Sequence, residues 1–127
     1  MCIRDSIPGL EKLLEGVHKA SEKGFVRGID KRKILVDSKH KSLNYLIQGS
    51  SAVLAKKWML LTHENLPPTA RQLAFVHDEL QFECEEKDVE DLKFLLELSA
   101  TQAGEYYNLR CPIAAESKSG STWADVH

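Results

Sequence analysis

The residues of this chain best suited to chemistry sit in one triplet. Ala74-Phe75-Val76-His77-Asp78-Glu79-Leu80-Gln81-Phe82 is an apolar run broken by an imidazole and two carboxylates, fenced by Val76 and Leu80. The flanks alternate as strands do, so the triplet falls where two strands meet. A tight hairpin tip favours Asn-Gly or Asp-Gly, because its backbone needs positive φ. Carboxylates in that place suit the holding of a hard cation such as Mg²⁺ through oxygen ligands. Charge set against apolar walls is costly without a partner, and a cation is one such partner. A polar turn with no further task is the other reading these residues leave open.

A second signal lies upstream. His40, Asn44 and Gln48 recur every four residues. Steps of four advance about 40° around a helix, so the three share a stripe. Each side chain can donate a hydrogen bond. Every base pair offers an acceptor in the minor groove, purine N3 or pyrimidine O2, whatever the sequence. Such donors can sense pair geometry without choosing a base; a solvated polar face has the same spacing. Gly49 follows directly. A mid-helix glycine costs about 1 kcal/mol relative to alanine, which predicts close approach there by another backbone or a ligand. The basic residues Lys23, Arg27, Lys31, Arg32, Lys33, Lys39 and Lys41 precede or enter the stripe. They can meet phosphates, with salt-dependent affinity.

Several elements must position these groups. Residues 7–24 read as a helix with Pro8 in its first turn, Gly24 as its C-terminal cap and Leu10, Leu13, Leu14 and Val17 on one face. Residues 25–37 read as a hairpin of two short strands around Gly28-Ile29-Asp30-Lys31-Arg32. The longest helix runs from His40 to about His63, with Leu43, Leu46, Ile47, Leu54, Trp58 and Leu61 on its core face. Strands over 71–76 and 80–85 flank the triplet. Asp88 then reads as the N-cap of a helix that buries Val89, Leu92, Leu95, Leu96 and Ala103 and ends at Gly104. A strand over 110–116 and a small turn around Trp123 close the chain. The fold class is α+β: an antiparallel hairpin and short strands packed with three main α-helices.

Composition narrows the function. The length of 127 residues is one domain by the usual size prior. The net charge of −2 hides an asymmetry: residues 1–60 carry 12 Lys and Arg against 6 Asp and Glu, and residues 61–127 carry 5 against 13. The positive part suits a polyanion and the negative part a metal. Cys2, Cys84 and Cys111 have neither zinc spacing nor a disulfide pattern, which fits a reducing cytoplasm. No signal peptide is visible. The longest apolar stretches are cut by Lys56-Lys57 and by the triplet, so no membrane span is expected.

In order along the chain, four anchors stand out. They are Gly28 with Arg32-Lys33, His40-Lys-Ser-Leu-Asn-Tyr-Leu-Ile-Gln-Gly49, Val76-His-Asp-Glu-Leu-Gln81, and Gly120-Ser-Thr-Trp-Ala-Asp-Val-His127. Together they resemble the family A DNA polymerases, the bacterial polymerase I family, and most closely their phage replicative branch. The resemblance runs from Ile7 to His127. It implies that residues 7–127 are the C-terminal part of a palm with part of the fingers, and that residues 1–6 are a leader foreign to it. It implies template-directed nucleotidyl transfer from a dNTP to a primer 3′-hydroxyl, with two Mg²⁺ ions, during DNA replication in the cytoplasm of a bacterial host. By the same resemblance Asp78 ligates both metals and Glu79 stands beside them or binds weakly. His77 touches the primer strand near its 3′ end. Asn44 and Gln48 contact the minor groove of the newest pairs with His40 beside them, and Arg32 and Lys33 meet phosphates. Trp123 and His127 pack the end of the chain. The partners are primer-template DNA, dNTP and an N-terminal remainder of the polymerase.

The departures bear on activity. The family supplies a second catalytic carboxylate from an Asp-x-Ser-x-x-Glu-Leu-Arg motif, and its nucleotide-binding helix carries a Lys and a later Tyr-Gly. Neither pattern occurs in these 127 residues, so the isolated chain is expected to be inactive. Lys31 stands where many members place Gly before Arg. Two rival functions remain open at this stage. A His-Asp metal phosphohydrolase needs that dipeptide on a helix with further ligands nearby. A non-catalytic nucleic-acid-binding module explains the basic segment and the donor stripe, but gives no reason for the acidic tip.

Overall fold

The computed structural model describes residues 6–127. All of the expected leader except Ser6 lies outside the described residues, as does Cys2. Among the described residues the architecture is α+β, with three α-helices and two separate two-stranded antiparallel sheets. The chain divides into two compact units, Met1–Val53 and Leu54–His127, and the longest helix crosses the boundary.

In the first unit, α1 spans Leu10–Ser21. It begins later than the sequence suggests. Gly9 takes φ 83, and the Leu10 N–H donates to the Ile7 carbonyl, which leaves Pro8 in the turn ahead of the helix. Val17 and Ser21 are buried and Leu10 and Leu14 half-buried, but Leu13 is exposed. Gly24, at φ 80, turns the chain out of the helix end, and its N–H donates to the Ser21 carbonyl. That left-handed position suits glycine.

Strands β1 (Phe25–Arg27) and β2 (Lys33–Leu35) pair in the register Phe25↔Leu35, Val26↔Ile34 and Arg27↔Lys33. Alternation puts Val26 and Ile34 on the inner face and Phe25, Arg27, Lys33 and Leu35 on the other. The connecting loop is tied by two backbone bonds, Gly28 N–H to the Arg32 carbonyl and Lys31 N–H to the Gly28 carbonyl. Lys31 has φ 67. The turn therefore keeps the left-handed backbone that glycine adopts freely, although a lysine occupies it.

Helix α2 (Ser42–Glu64) follows a 3₁₀ turn at Lys39–Lys41. His40 sits in that turn, two residues before the α-helix on which it was expected. The Ser42 hydroxyl donates to the Lys39 carbonyl at 2.7 Å and is buried at the junction. Ile47, expected on the core face, is 54% exposed. The close approach expected at Gly49 is real, but a side chain makes it. A Cβ at Gly49 would lie 2.6 Å from Ile34 Cδ1. One residue on, Ser50 Oγ accepts the Ile29 N–H at 3.3 Å.

In the second unit, Trp58 Nε1 donates to the Leu96 carbonyl at 2.8 Å and joins α2 to α3 (Val89–Tyr106). Ala70, Leu92, Ala100 and Ala103 are buried. Thr62 and Ser99 are buried with them, their hydroxyls without partners among the described residues. Asp88 precedes α3 but does not cap it with its side chain; its carboxylate accepts the Thr69 hydroxyl instead. Gly104 does not end α3, which runs on to Tyr106. It lies buried where Ile113 crosses the helix.

The strand expected over 110–116 does not form. The segment has the strand-like alternation, with Ile113 and Ala115 half-buried between exposed neighbours. Its fixed points are on α3 rather than on a neighbouring strand: the Thr101 hydroxyl donates to the Ile113 carbonyl at 3.1 Å, and the Ser117 hydroxyl to Glu97 Oε1 at 2.6 Å. Among the described residues, no helix is long and apolar enough to cross a membrane.

The two helical glycines should respond differently to alanine. At Gly104 the added Cβ would meet Ile113 Cγ1 at 2.7 Å, Cβ at 3.1 Å and backbone N at 3.6 Å. A branched side chain and its backbone must both move. Overpacking of this kind costs about 1–3 kcal/mol, against a helix-propensity gain of about 1 kcal/mol. Gly104→Ala should therefore destabilise the chain by about 1 kcal/mol. At Gly49 the obstacle is chiefly the end of the Ile34 side chain, and a rotamer change costing about 0.5–1.5 kcal/mol relieves it. Gly49→Ala should fall within about 0.5 kcal/mol of the parent. Urea denaturation midpoints decide this, and equal shifts for the two variants would contradict it.

Candidate functional site

The acidic tip belongs to the second unit. Strands β3 (Arg71–Val76) and β4 (Glu79–Glu83) pair as Arg71↔Glu83, Gln72↔Phe82, Ala74↔Gln81, Phe75↔Leu80 and Val76↔Glu79. The register shifts between Gln72 and Ala74, so Leu73 is an extra residue on its strand and is exposed. The turn itself is only His77-Asp78. His77 takes φ 55, a region that His, Asn and Asp enter more readily than most residues. Glu79 was expected at the tip but is the first residue of β4, paired with Val76.

That difference separates the two carboxylates. His77 and Asp78 are exposed. The Asp78 carboxylate has no hydrogen-bond or ion-pair partner among the described residues. Glu79 is half-buried, and its Oε1 is engaged twice. Gln81, two residues along the same strand and so on the same face, donates its Nε2 to that oxygen. His127 Nε2 lies 3.1 Å from it.

His127 is itself held. Its ring stacks on Trp123, with centroids 4.9 Å apart and planes 11° apart, and its Nδ1 is 3.3 Å from the Trp123 carbonyl oxygen. Trp123 opens the 3₁₀ turn Trp123–Val126. Asp125 Oδ2 anchors that turn by accepting the Thr122 N–H at 2.7 Å and the Thr122 hydroxyl at 2.9 Å. A Cβ on Gly120 would overlap the Asp125 side chain, so glycine leaves room for this anchor. Gln81 was legible as part of the anchor motif, and strand periodicity puts it beside Glu79. The contact of His127 with Glu79, 48 positions away in the chain, had no signal in the sequence.

The remaining site candidates belong to the first unit. Asn44 and Gln48 are exposed on successive turns of α2. His40, also exposed, stands on the preceding 3₁₀ turn. On the hairpin, Arg27 and Lys33 both lie over the Phe25 ring, with the Lys33 Nζ 4.7 Å from its centroid. Arg27 Nη1 donates to the Lys31 carbonyl at 2.9 Å. Arg32 is exposed, but its Nε pairs with Asp30, which also accepts the Arg32 N–H. The Arg32 guanidinium thereby holds the Asp30 carboxyl below its ordinary range. At the start of α2, the Tyr45 hydroxyl donates to Asp37, and that hydrogen bond, helped by the carboxylate's negative charge, raises the phenol above its ordinary range.

Among the described residues no three His, Cys, Asp or Glu side chains converge as a metal-holding group. The tip offers one uncommitted carboxylate and one that is already occupied. Such an arrangement can contribute oxygen ligands to a cation shared with groups from elsewhere, but it does not enclose one.

Comparison with known proteins gives a consistent result. The family model for DNA polymerase family A matches residues 6–125. The DNA-directed DNA polymerase of Escherichia phage Phieco32 is 32% identical over 130 residues, covering 94% of this chain and 21% of that polymerase. DNA polymerase I of Bacillus caldotenax is 33% identical over 140 residues, covering 96% of this chain and 15% of that enzyme. Among solved structures, the POL domain of Pol1 from M. smegmatis in complex with DNA primer-template and dNTP superimposes with a TM-score of 0.74 at 26% identity. That match covers 86% of this chain and 22% of the other. The chain thus spans about a fifth or less of the length of these relatives.

The anchor behind His127 should be acid-resistant. The Thr122 hydroxyl, and then its N–H, hold the Asp125 carboxyl below the ordinary 3.8. A carboxyl lowered by folding contributes stability that is fully present above its unfolded value and is lost as pH falls through the lower folded value. The terminal turn should therefore persist as pH drops through 3.8 and open only below it. Titration of the Asp125 ¹³Cγ resonance measures this directly. Thr122→Val should move the midpoint back towards 3.8, and a midpoint that does not respond would contradict the assignment.

Proposed function

This chain belongs to DNA polymerase family A, and we propose that it supplies one side of the two-metal site of a template-directed DNA polymerase. The observation that carries this reading is the tip of the β3–β4 hairpin, where an exposed Asp78 has no partner among the described residues beside an engaged Glu79. In the reaction the 3′-hydroxyl oxygen of the primer attacks the α-phosphorus of a dNTP, a new phosphodiester forms, and pyrophosphate leaves. Two Mg²⁺ ions, when bound, supply charge stabilisation to the attacking and leaving oxygens.

The donor set fits that use. Mg²⁺ takes oxygen ligands from one or two carboxylates together with substrate phosphates, and keeps several waters. Asp78 is the side chain of this chain that would ligate both ions, with Glu79 beside it. His77 at the same turn would touch the primer strand near its 3′ end. Asn44 and Gln48 would donate to minor-groove acceptors of the newest base pairs. His40 joins them from its own turn rather than from a continuous stripe. Arg32 and Lys33 would meet phosphates, Arg32 with its Nε already used by Asp30. The dNTP, the primer-template DNA and the opposing carboxylate of the metal pair are partners that the rest of the polymerase would present or complete. The setting is DNA replication in bacterial cytoplasm, with residues 7–127 forming the C-terminal part of the palm and fingers.

The two rivals account for less. A His-Asp phosphohydrolase sets its dipeptide on a helix, whereas His77-Asp78 is a two-residue β-turn. A passive nucleic-acid-binding module leaves the uncommitted carboxylate without a task.

Three experiments test the reading. In the complete polymerase, Asp78→Ala should lower primer extension by about 10³-fold or more, since a lost metal ligand forfeits several kcal/mol of charge stabilisation. Glu79→Gln should cost less. Near-normal turnover for the first would sink the assignment, and an equal loss for the second would make Glu79 a direct ligand. The isolated chain should give no extension at all. Separately, Gln48→Ala should weaken extension from the primer end and its sensitivity to mispairs while leaving the chemistry possible. Unchanged DNA affinity and fidelity would remove Gln48 from the minor groove.

A further inference from the structure

Glu79 is the acidic side chain of the tip that the fold already engages. Its Oε1 receives Gln81 from the same strand and faces His127 Nε2 at 3.1 Å. The imidazole is placed by two further contacts, the parallel stack on Trp123 and the approach of Nδ1 to the Trp123 carbonyl. The 3₁₀ turn that carries Trp123 is anchored in turn by Asp125 on Thr122. Asp78, the adjacent residue, receives none of this support.

We propose that His127 is a positioning residue for the carboxylate pair. With Gln81 it holds Glu79 along β4, so that a divalent cation arriving at the tip is taken from this chain by Asp78 alone. The inference rests on the reading of Asp78 as a metal ligand and assigns the device that keeps its neighbour apart. Two free adjacent carboxylates would compete to chelate one cation on their own hairpin. Such a cation would be drawn towards this strand and away from the groups with which it must be shared. Donors on Glu79 Oε1 occupy that oxygen and so remove the two-oxygen grip that a chelating carboxylate offers. The pair is half exposed and individually weak. The stacked ring and the second donor restrict where Glu79 can go, which a lone surface ion pair would not.

The test uses the 127-residue chain, ¹³C-labelled, with Mn²⁺ as the added probe. Paramagnetic broadening falls steeply with distance from the ion, so it reports each carboxyl separately. The parent chain should lose the Asp78 ¹³Cγ signal at Mn²⁺ concentrations several-fold below those that broaden Glu79 ¹³Cδ. His127→Ala should bring the two concentrations together. His127→Gln, which keeps an N–H donor, should restore the separation. A merely structural role for His127 would shift amide signals around the turn in both variants without changing that ratio. Equal broadening in the parent chain, or an unchanged ratio in His127→Ala, overturns the inference and leaves Asp78 as a ligand. Absence of broadening at either carboxyl overturns the metal reading itself, and this inference with it.

Discussion

The register of the β3–β4 hairpin decides what the acidic tip can do. From Gln72↔Phe82 an uninterrupted ladder would continue to Leu73↔Gln81 and Phe75↔Glu79, leaving a three-residue loop of Val76, His77 and Asp78. The extra residue at Leu73 moves the pairing to Ala74↔Gln81 and Val76↔Glu79, and the loop shrinks to His77-Asp78. Because side chains alternate along a strand, a shift of one residue exchanges the faces of everything beyond it. The bulge thus determines that Val76 opposes Glu79 and that the turn is only His77 and Asp78, both exposed. Bulges re-aim side chains near functional sites in this way. The left-handed backbone at His77 is the local cost of so short a turn.

A comparable constraint organises the first unit around one turn of α2. Gln48, Gly49 and Ser50 point in directions about 100° apart, and each has a different neighbour. Gly49 makes room for Ile34 from the inner face of the β1–β2 hairpin, Ser50 accepts the Ile29 N–H of its loop, and Gln48 stays exposed. The basic residues of the hairpin are therefore tied to the same helical turn that presents Gln48, the proposed minor-groove donor. Such coupling suits a surface that must meet phosphates and base edges in one docking geometry.

Periodicity made much of this legible, and what it could not reach was set by contacts distant in the chain. The strand patterns around the triplet and the hairpin of residues 25–37 were readable because alternation and turn residues agreed locally. Gly49 was readable as a close approach, since glycine in mid-helix needs a reason, but the partner could only be found in three dimensions. Asp88 has the right type and position for a cap, yet the Thr69 hydroxyl claims its carboxylate. Gly104 looks like a helix terminator, but the helix continues because the missing side chain is needed for Ile113. Residues 110–116 alternate like a strand because they lie on α3 with one side covered, and alternation records burial rather than ladder pairing. His40 fell on the right stripe by spacing, but the α-helix starts after it. In each case the residue type was informative, and a contact from elsewhere decided which of its uses was taken up.

The same logic explains how the tip can serve as one side of the proposed metal site without holding an ion itself. A carboxylate withdrawn from water needs donors or a cation. Asp78 is exposed to water at the turn, so folding carries no charge-burial cost there. Glu79, which is partly withdrawn, has donors from Gln81 and His127. Each carboxylate is thus satisfied without metal, by water in one case and by the fold in the other. On the proposed reading, desolvation of Asp78 is deferred until the opposing face of the polymerase, the DNA and the nucleotide close over the tip. At that stage the cations that drive the chemistry are also the groups that compensate the buried charge. An exposed, unpartnered aspartate is therefore the expected condition of this piece alone, because the same residue prepared with its own internal partner would have to break that contact before it could bind an ion.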